Sequence, residues 1–101
     1  NNEKESSALT GLVVRELTPD LARRFGFEEN DKGVVVVKIE SNSKLFEAGI
    51  RPGDIILQIN QKNIVSLEEY KKIAPKIKAK ERLLLLLRRK GQDLFVTVRP
   101  E

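Results

Sequence analysis

One stretch decides the fold of this chain: Glu47-Ala48-Gly49-Ile50-Arg51-Pro52-Gly53-Asp54, followed at once by Ile55-Ile56-Leu57-Gln58-Ile59-Asn60. Gly49 predicts the end of a short helix that begins near Ser43, because glycine enters the left-handed conformation without a Cβ clash. Pro52-Gly53 predicts a type II turn, since proline fixes the second position and glycine supplies the positive φ of the third. Helix, turn and strand are therefore joined with almost no loop.

Composition limits the chain to one domain and to a narrow set of functions. Its 101 residues, 40% of them apolar, can bury a single modest core. Cysteine and histidine are both absent, which excludes disulfides, thiolate nucleophiles, a Ser-His-Asp triad and nearly every zinc site. We therefore expect no catalytic residue, no cofactor and no metal. The longest apolar run, Leu83 to Leu87, is far below the ~18 residues of a membrane-spanning helix, so direct membrane insertion is not expected.

The net charge of +4 is concentrated between Lys71 and Lys90, where Glu81 is the only acid. A nucleic-acid surface would carry aromatic stacking groups among these cations. The five aromatic residues are instead scattered along the chain, at Phe25, Phe27, Phe46, Tyr70 and Phe95. A solvated basic face is the preferred interpretation, and nucleic acid is not an expected partner.

The first half of the chain predicts two strands that alternate with two short helices. Residues 1–8 are polar and aperiodic, as in a linker or disordered end, and residues 9–100 form the single domain. Strand, helix, strand and helix are predicted at 12–17, 19–25, 33–39 and 44–48. Thr18 and Ser43 are the expected N-caps. The β-branched run of the second strand is typical of a strand that is covered on both faces.

The second half predicts three more strands and the main helix. The strand 55–59 is followed by a tight turn at 61–63, and Ser66 with Glu69 forms a capping box for a helix that starts at Leu67. Pro75 predicts that this helix ends or kinks near Ala74. Strands 83–88 and 94–99 flank a turn at 90–93. The expected fold class is α+β and mainly β: a partly open barrel of five to six strands capped by one main helix and two short helices.

The helix, the Gly-Ile-Arg-Pro-Gly-Asp turn and the apolar strand ending in Asn resemble the central signature of PDZ domains, which bind the C-termini of other chains. The helix Thr18-Pro19-Asp20-Leu21-Ala22 ahead of a Gly-Val-Val-Val strand is similar to PDZ domains of bacterial HtrA/Deg-type serine proteases, particularly the second, C-terminal one. This resemblance implies a circularly permuted order, with the carboxylate-binding loop first and an edge strand at Leu94 to Arg99. PDZ domains of site-2 and tail-processing proteases share Arg-Pro-Gly-Asp and remain an alternative.

The resemblance also implies a peptide site. Its carboxylate loop is Leu9, Thr10, Gly11 and Leu12, whose backbone N–H groups would face a terminal carboxylate. The docking strand and pocket would comprise Leu12, Val13, Val14 and Arg15 with the helix positions Leu67, Lys71 and Ala74, while Tyr70, Ile73 and Ile77 face the interior. Each position has a plainer interpretation: Gly11 as a turn glycine, Leu67 as a core residue, and Lys71 as a solvated lysine.

The implied function is a non-catalytic peptide-binding module of an exported, periplasmic or cell-envelope protease that is a homo-oligomer. Its partners would be polypeptide C-termini or unfolded segments, together with the neighbouring protease and PDZ domains of the parent chain. The alternative is an assembly domain with an idle groove, suggested by the departures from the family pattern at Leu9 and Thr10 and by an expected exposure of Leu45 or Phe46. Asp54 and Glu47 are expected to cap backbone groups or to face solvent.

Overall fold

The computed structural model describes residues 11–28, 31–77 and 82–98. The elements follow in the order β1 (Leu12–Glu16), α1 (Pro19–Phe25), β2 (Val34–Ile39), α2 (Lys44–Ala48), β3 (Ile55–Ile59), β4 (Lys62–Asn63), α3 (Leu67–Ile73), β5 (Leu83–Arg89) and β6 (Gln92–Val98). One 3-10 turn, Ala74–Lys76, continues α3, as Pro75 predicts. The expected N-terminal linker, residues 1–8, lies outside the described residues. No helix in the described parts is long and apolar enough to cross a membrane.

All strand pairs among the described residues are antiparallel, and the sheet order is β1-β2-β3-β5-β6 with β4 paired to β3. Strands β1 and β6 are therefore the two edges of the sheet that the described residues form, and the mainly β prediction is confirmed. Two turns are tighter than the sequence predicted. Asn60 and Gln61 have φ of 50° and 70°, and Lys90 and Gly91 have φ of 51° and 81°, as in two-residue hairpin turns with two positive φ angles. The residues after each turn therefore join a strand.

Three side-chain caps confirm the helix starts that the sequence predicts. Each helix begins after a residue whose hydroxyl oxygen accepts from a backbone N–H three residues on: Thr18 from Leu21 at 3.2 Å, Ser43 from Phe46 at 3.1 Å, and Ser66 from Glu69 at 3.2 Å. The return bond of the expected capping box differs by one residue. The Glu69 carboxylate accepts from the N–H of Val65, at 2.9 Å.

The turn after α2 is held by reciprocal bonds. The Asp54 N–H donates to the Arg51 carbonyl at 3.2 Å, and the Arg51 N–H donates to the Asp54 carboxylate at 3.0 Å. Gly53 has a φ of +96°, which confirms the type II turn geometry. Its N–H also donates to the Val36 carbonyl at 2.7 Å. The turn is thereby fixed to β2 and sets where β3 enters the sheet.

Two hydrophobic clusters lie on opposite faces of the inner strands. Val34, Val36 and Ile56 belong to the main cluster, together with α2, α3, β5 and β6 side chains. Val35 and Ile55 belong to a second cluster, which α1 and its flanking residues cover through Leu17, Ala22 and Phe27. Strand β2 is thus covered on both faces, as its β-branched run predicts.

The expected exposure of Leu45 and Phe46 is wrong. Leu45 is only 1% exposed and lies in the main cluster, because α2 packs against β6. Phe46 is half-buried, with the guanidinium carbon of Arg51 3.8 Å from its ring centroid, a cation–π contact. Leu45 therefore offers no apolar surface to another domain, and the Arg51 guanidinium stacks on the half-buried Phe46 ring.

Asp54 caps a backbone group, the first of the two roles expected for it. Its carboxylate caps the Arg51 N–H, but the residue is only 1% exposed. Arg89 neutralises it through two bonds of 2.7 Å, from Nε to Oδ1 and from Nη2 to Oδ2. Arg89 is 35 residues away and sits at the end of β5, so no local pattern predicts the pair. Glu47, by contrast, is exposed as expected.

Candidate peptide-binding groove

Strand β1 is an edge of the described sheet, and α3 lies beside it. β1 pairs with β2 along one side, and α3 contacts β1. The surface between the outer edge of β1 and α3 is called the groove below. An edge strand leaves every second backbone N–H and C=O without a strand partner, so such an edge can accept an added strand.

The floor of the groove is apolar. Leu12 and Val14 are half-buried and pack against the main cluster, as does Leu67 across the groove. Ala74 is 6% exposed and is part of the same cluster. The four residues that the sequence assigns to the pocket thus all pack in or against the main cluster, and Ala74 is the most buried of them. Lys71 is exposed on α3.

The interior face of α3 is also as the sequence predicts. Tyr70 and Ile77 are buried in the main cluster, and Ile73 packs against it. Burial raises the pKa of Tyr70 to about 12, because the apolar surroundings disfavour the phenolate. The helix is thus anchored by its inner face.

One hydrogen bond joins the two walls of the groove directly. The backbone N–H of Leu67, the first residue of α3, donates to the Glu16 carboxylate at 3.2 Å. A carboxylate is stabilised at the start of a helix, where backbone N–H groups lack helical partners. Sequence reasoning missed Glu16, and its only signal is an acid at the end of the docking strand. The bond fixes the distance between β1 and α3 at this end.

Gly11 and Leu12 are the described part of the predicted carboxylate loop, and Leu9 and Thr10 lie outside the described residues. Gly11 has a φ of +100°, and its carbonyl accepts from the Glu40 N–H at 3.0 Å. A Cβ on Gly11 would lie 3.1 Å from the Cβ of Ser43, which caps α2. Gly11 therefore has a structural role in this turn whether or not a ligand binds.

Val13 and Arg15 occupy the other face of β1. Val13 is 49% exposed, and Arg15 is also exposed. The register shifts between Val13 and Val14, which pair with Lys38 and Val36 respectively. β2 therefore has a bulge at Val37, next to the docking strand. No group of three or more His, Cys, Asp or Glu residues in the described ranges could hold a metal ion.

Comparison with known proteins decides the family. The family model described as PDZ domain matches residues 24–99. The chain belongs to the PDZ domain family. A probable periplasmic serine endoprotease DegP-like from Chlamydia pneumoniae is 30% identical over 91 residues, which are 90% of this PDZ domain and 18% of that relative. Serine protease HTRA1 from Xenopus laevis is 32% identical over 75 residues, 74% of this domain and 16% of the relative.

The fold of this domain is similar to solved structures of HtrA-type proteins. The HtrA3 PDZ domain bound to a phage-derived ligand (FGRWV) is 31% identical with a TM-score of 0.71, covering 90% of this chain and 82% of that one. HtrA-type protease AlgW with a decapeptide is 26% identical with a TM-score of 0.80, covering 88% of this chain and 27% of that one. The resemblance to PDZ domains of HtrA/Deg-type serine proteases is thus confirmed. The domain spans about a fifth of the length of these curated relatives.

Proposed function

We propose that this PDZ domain is the peptide-binding module of an exported HtrA/Deg-type serine protease and captures polypeptide C-termini or unfolded segments by strand addition. The observation that carries the proposal is the outer edge of β1 beside α3, above an apolar floor of Leu12, Val14 and Leu67. The similar structures of AlgW with a decapeptide and of the HtrA3 PDZ domain bound to a phage-derived ligand support the same use of the fold.

Capture combines three kinds of contact. The ligand backbone forms main-chain hydrogen bonds with β1, which supply affinity with little sequence preference. Its last side chain enters the floor between β1 and α3, and its carboxylate meets the loop Leu9 to Leu12. The pocket favours an apolar last residue, because burying apolar surface is the main gain available there.

The parent protein that this proposal implies carries the catalysis elsewhere. The domain has neither histidine nor cysteine, so hydrolysis belongs to a neighbouring protease domain of the same chain. A periplasmic location is supported by the names of the DegP-like relatives. The further partners we propose are the adjoining protease and PDZ domains within a homo-oligomeric parent.

Titration of the isotope-labelled domain with short peptides tests capture directly. We expect a peptide that ends in valine to shift the backbone amides of Gly11, Leu12, Val13 and the 67–71 helix. The same peptide with a C-terminal amide is the matched control and should bind more weakly, because it lacks the carboxylate. An absence of shifts at these amides at millimolar peptide would remove the proposal.

A second candidate function is assembly, and one observation favours it. Phe95 on β6 is 65% exposed, and β6 is the other edge strand of the described sheet. Two copies can pair such edges antiparallel, and a pairing centred on Phe95 places Asp93 opposite Thr97 without opposing like charges. This surface replaces the Leu45 and Phe46 pair as the basis for assembly.

Sedimentation tests the assembly candidate. We expect a concentration-dependent dimer that Phe95→Ser abolishes and that Val65→Ser retains, since Val65 is 50% exposed but lies outside β6. A domain that stays monomeric at millimolar concentration would eliminate this candidate and leave capture as the sole proposal.

A further inference from the structure

We propose that the groove prefers peptides with acidic side chains at the penultimate and fourth-from-last positions. The inference rests on the proposed function, strand addition along β1, and deepens it by naming the ligand class. It is carried by the charges on the outer face of β1 and β2, the face turned away from α3.

The bulge in β2 decides which side chains reach this face. Leu12 packs against the main cluster, so its neighbour Val13 points to the opposite face. Lys38 pairs with Val13 and therefore lies on the same face as Val13. Ile39 pairs with Leu12 and returns to the main cluster, while Val37 packs against the second one. Without the bulge, strict alternation would place Lys38 on the side of Val36, in the main cluster.

The resulting face is basic. Val13 is half-exposed, with Lys38 opposite and Arg15 two residues along the same strand, and both cations are exposed. Neither cation has an ion-pair partner within the described ranges. Glu16 is the only acid on β1 and β2, and its carboxylate bonds the Leu67 N–H on the groove side. Arg15 and Lys38, two positive charges without an ion-pair partner in the described ranges, thus lie next to the apolar side chain of Val13.

Strand alternation connects this face to particular ligand positions. When the last ligand residue lies against Leu12, the penultimate residue lies against Val13, and the fourth-from-last lies against Arg15. The fourth-from-last ligand residue lies directly opposite Arg15, with Cβ atoms about 4.5–5.5 Å apart. Lys38 lies one strand further, about 9–10 Å from the penultimate ligand residue, and its long side chain can reach an acidic group across Val13. Opposite charges at this spacing attract, and like charges repel.

Fluorescence polarisation with matched hexapeptides tests the preference. The peptides end in valine and carry Asp, Asn or Lys at both positions. We expect the Asp peptide to bind the wild type about three- to tenfold more tightly than the Lys peptide at low salt, as for exposed ion pairs. The ratio should fall towards one at high ionic strength, because salt screens exposed charges.

Protein variants assign the effect to its residues. Arg15→Gln/Lys38→Gln should abolish the difference between the Asp and Lys peptides, while Lys62→Gln on β4 should retain it. A preference that survives in the double variant would overturn the inference. Equal binding of all three peptides to the wild type would also overturn it while capture stands. If the neutral Asn peptide fails to bind at all, the proposed function itself fails.

Discussion

Among single residues, Asp54 is the clearest case of a side chain whose role is set by a distant partner. Its buried carboxylate accepts from Arg89 and from the Arg51 N–H. Arg89 also donates to the Gly49 carbonyl at 2.8 Å, so one guanidinium serves both ends of the motif turn. Removing one partner of an ion pair with a buried charge destabilises the fold by more than the intact pair stabilises it, because the remaining buried charge has no partner.

Arg89→Met should therefore destabilise the domain by about 3 kcal/mol, the low end for a broken buried pair. Arg88→Met is the matched control, since its main partner Asp93 is exposed, and its loss should stay within about 1 kcal/mol. Urea unfolding measures both free energies. Equal losses for the two neighbours would show that Asp54 does not depend on Arg89.

Tyr70 offers a direct spectroscopic test of burial. It is the only tyrosine, and the chain has no tryptophan, so absorbance near 295 nm reports its ionisation alone. We expect the phenol of the folded protein to titrate at about 12, against roughly 10 in the urea-unfolded chain. A folded-state midpoint near 10 would contradict the packing of α3.

The same pKa shift predicts a pH dependence of stability. The folded protein retains the Tyr70 proton between pH 10 and 12 while the unfolded chain loses it. The stabilisation is therefore fully present below pH 10 and is lost as the pH rises to about 12. The free energy of unfolding, measured by urea at stepped pH values, should fall across this window. Tyr70→Phe should lack this part of the fall.

Among elements, the turn between α2 and β3 can be tested with two glycines. Gly49 and Gly53 both have positive φ, but only a Cβ on Gly53 meets a neighbour, the Phe25 ring at 3.2 Å. Gly53→Ala should cost about 1–3 kcal/mol in backbone strain and contact, and more than Gly49→Ala. Thermal unfolding compares them. Phe25→Leu added to Gly53→Ala should recover the difference, and no recovery would exclude the ring contact.

The elements also show what the sequence can and cannot predict. Thr18, Ser43 and Ser66 are correct caps because capping depends on residues three apart, and the Pro52-Gly53 turn is equally local. The bulge at Val37, the bond from Leu67 to Glu16 and the burial of Leu45 were missed. Each of these features depends on a contact with a strand or helix that is distant in the sequence, and local sequence patterns do not predict such contacts.

At the scale of the whole molecule, the two-sided burial of the inner strands should appear in hydrogen exchange. Val34, Val35, Ile55, Ile56, Leu85 and Leu87 are fully buried. We expect the slowest amide exchange in β3 and β5, and faster exchange in β1, an edge strand that can open locally. A bound peptide should slow exchange in β1 specifically. Equal protection of β1 and β3 in the free domain would argue against an available edge.

The mainly β class and the coverage of β2 could be predicted because composition, turns and β-branched runs agree with one another. The assignment of Leu12, Val14, Leu67 and Ala74 to a ligand pocket comes from the family resemblance and stays a prediction; the structure shows that all four pack in or against the main cluster. The roles of Leu9 and Thr10, and the permuted order, stay predictions. The buried Asp54 and the basic outer face of β1 required the register of the complete sheet.

The hairpin of β5 and β6 has a consequence for how the domain reaches its fold. Its two-residue turn allows seven consecutive pairs, from Arg89 with Gln92 to Leu83 with Val98, and such hairpins form in roughly 1–10 μs. Leu83, Leu85 and Leu87 lie at the centre of the main cluster. They follow all the described helices in the sequence, so a ribosome delivers them late. We therefore expect the earlier elements to remain loosely collapsed until the β5–β6 hairpin is synthesised. The hairpin then forms quickly and completes the main cluster.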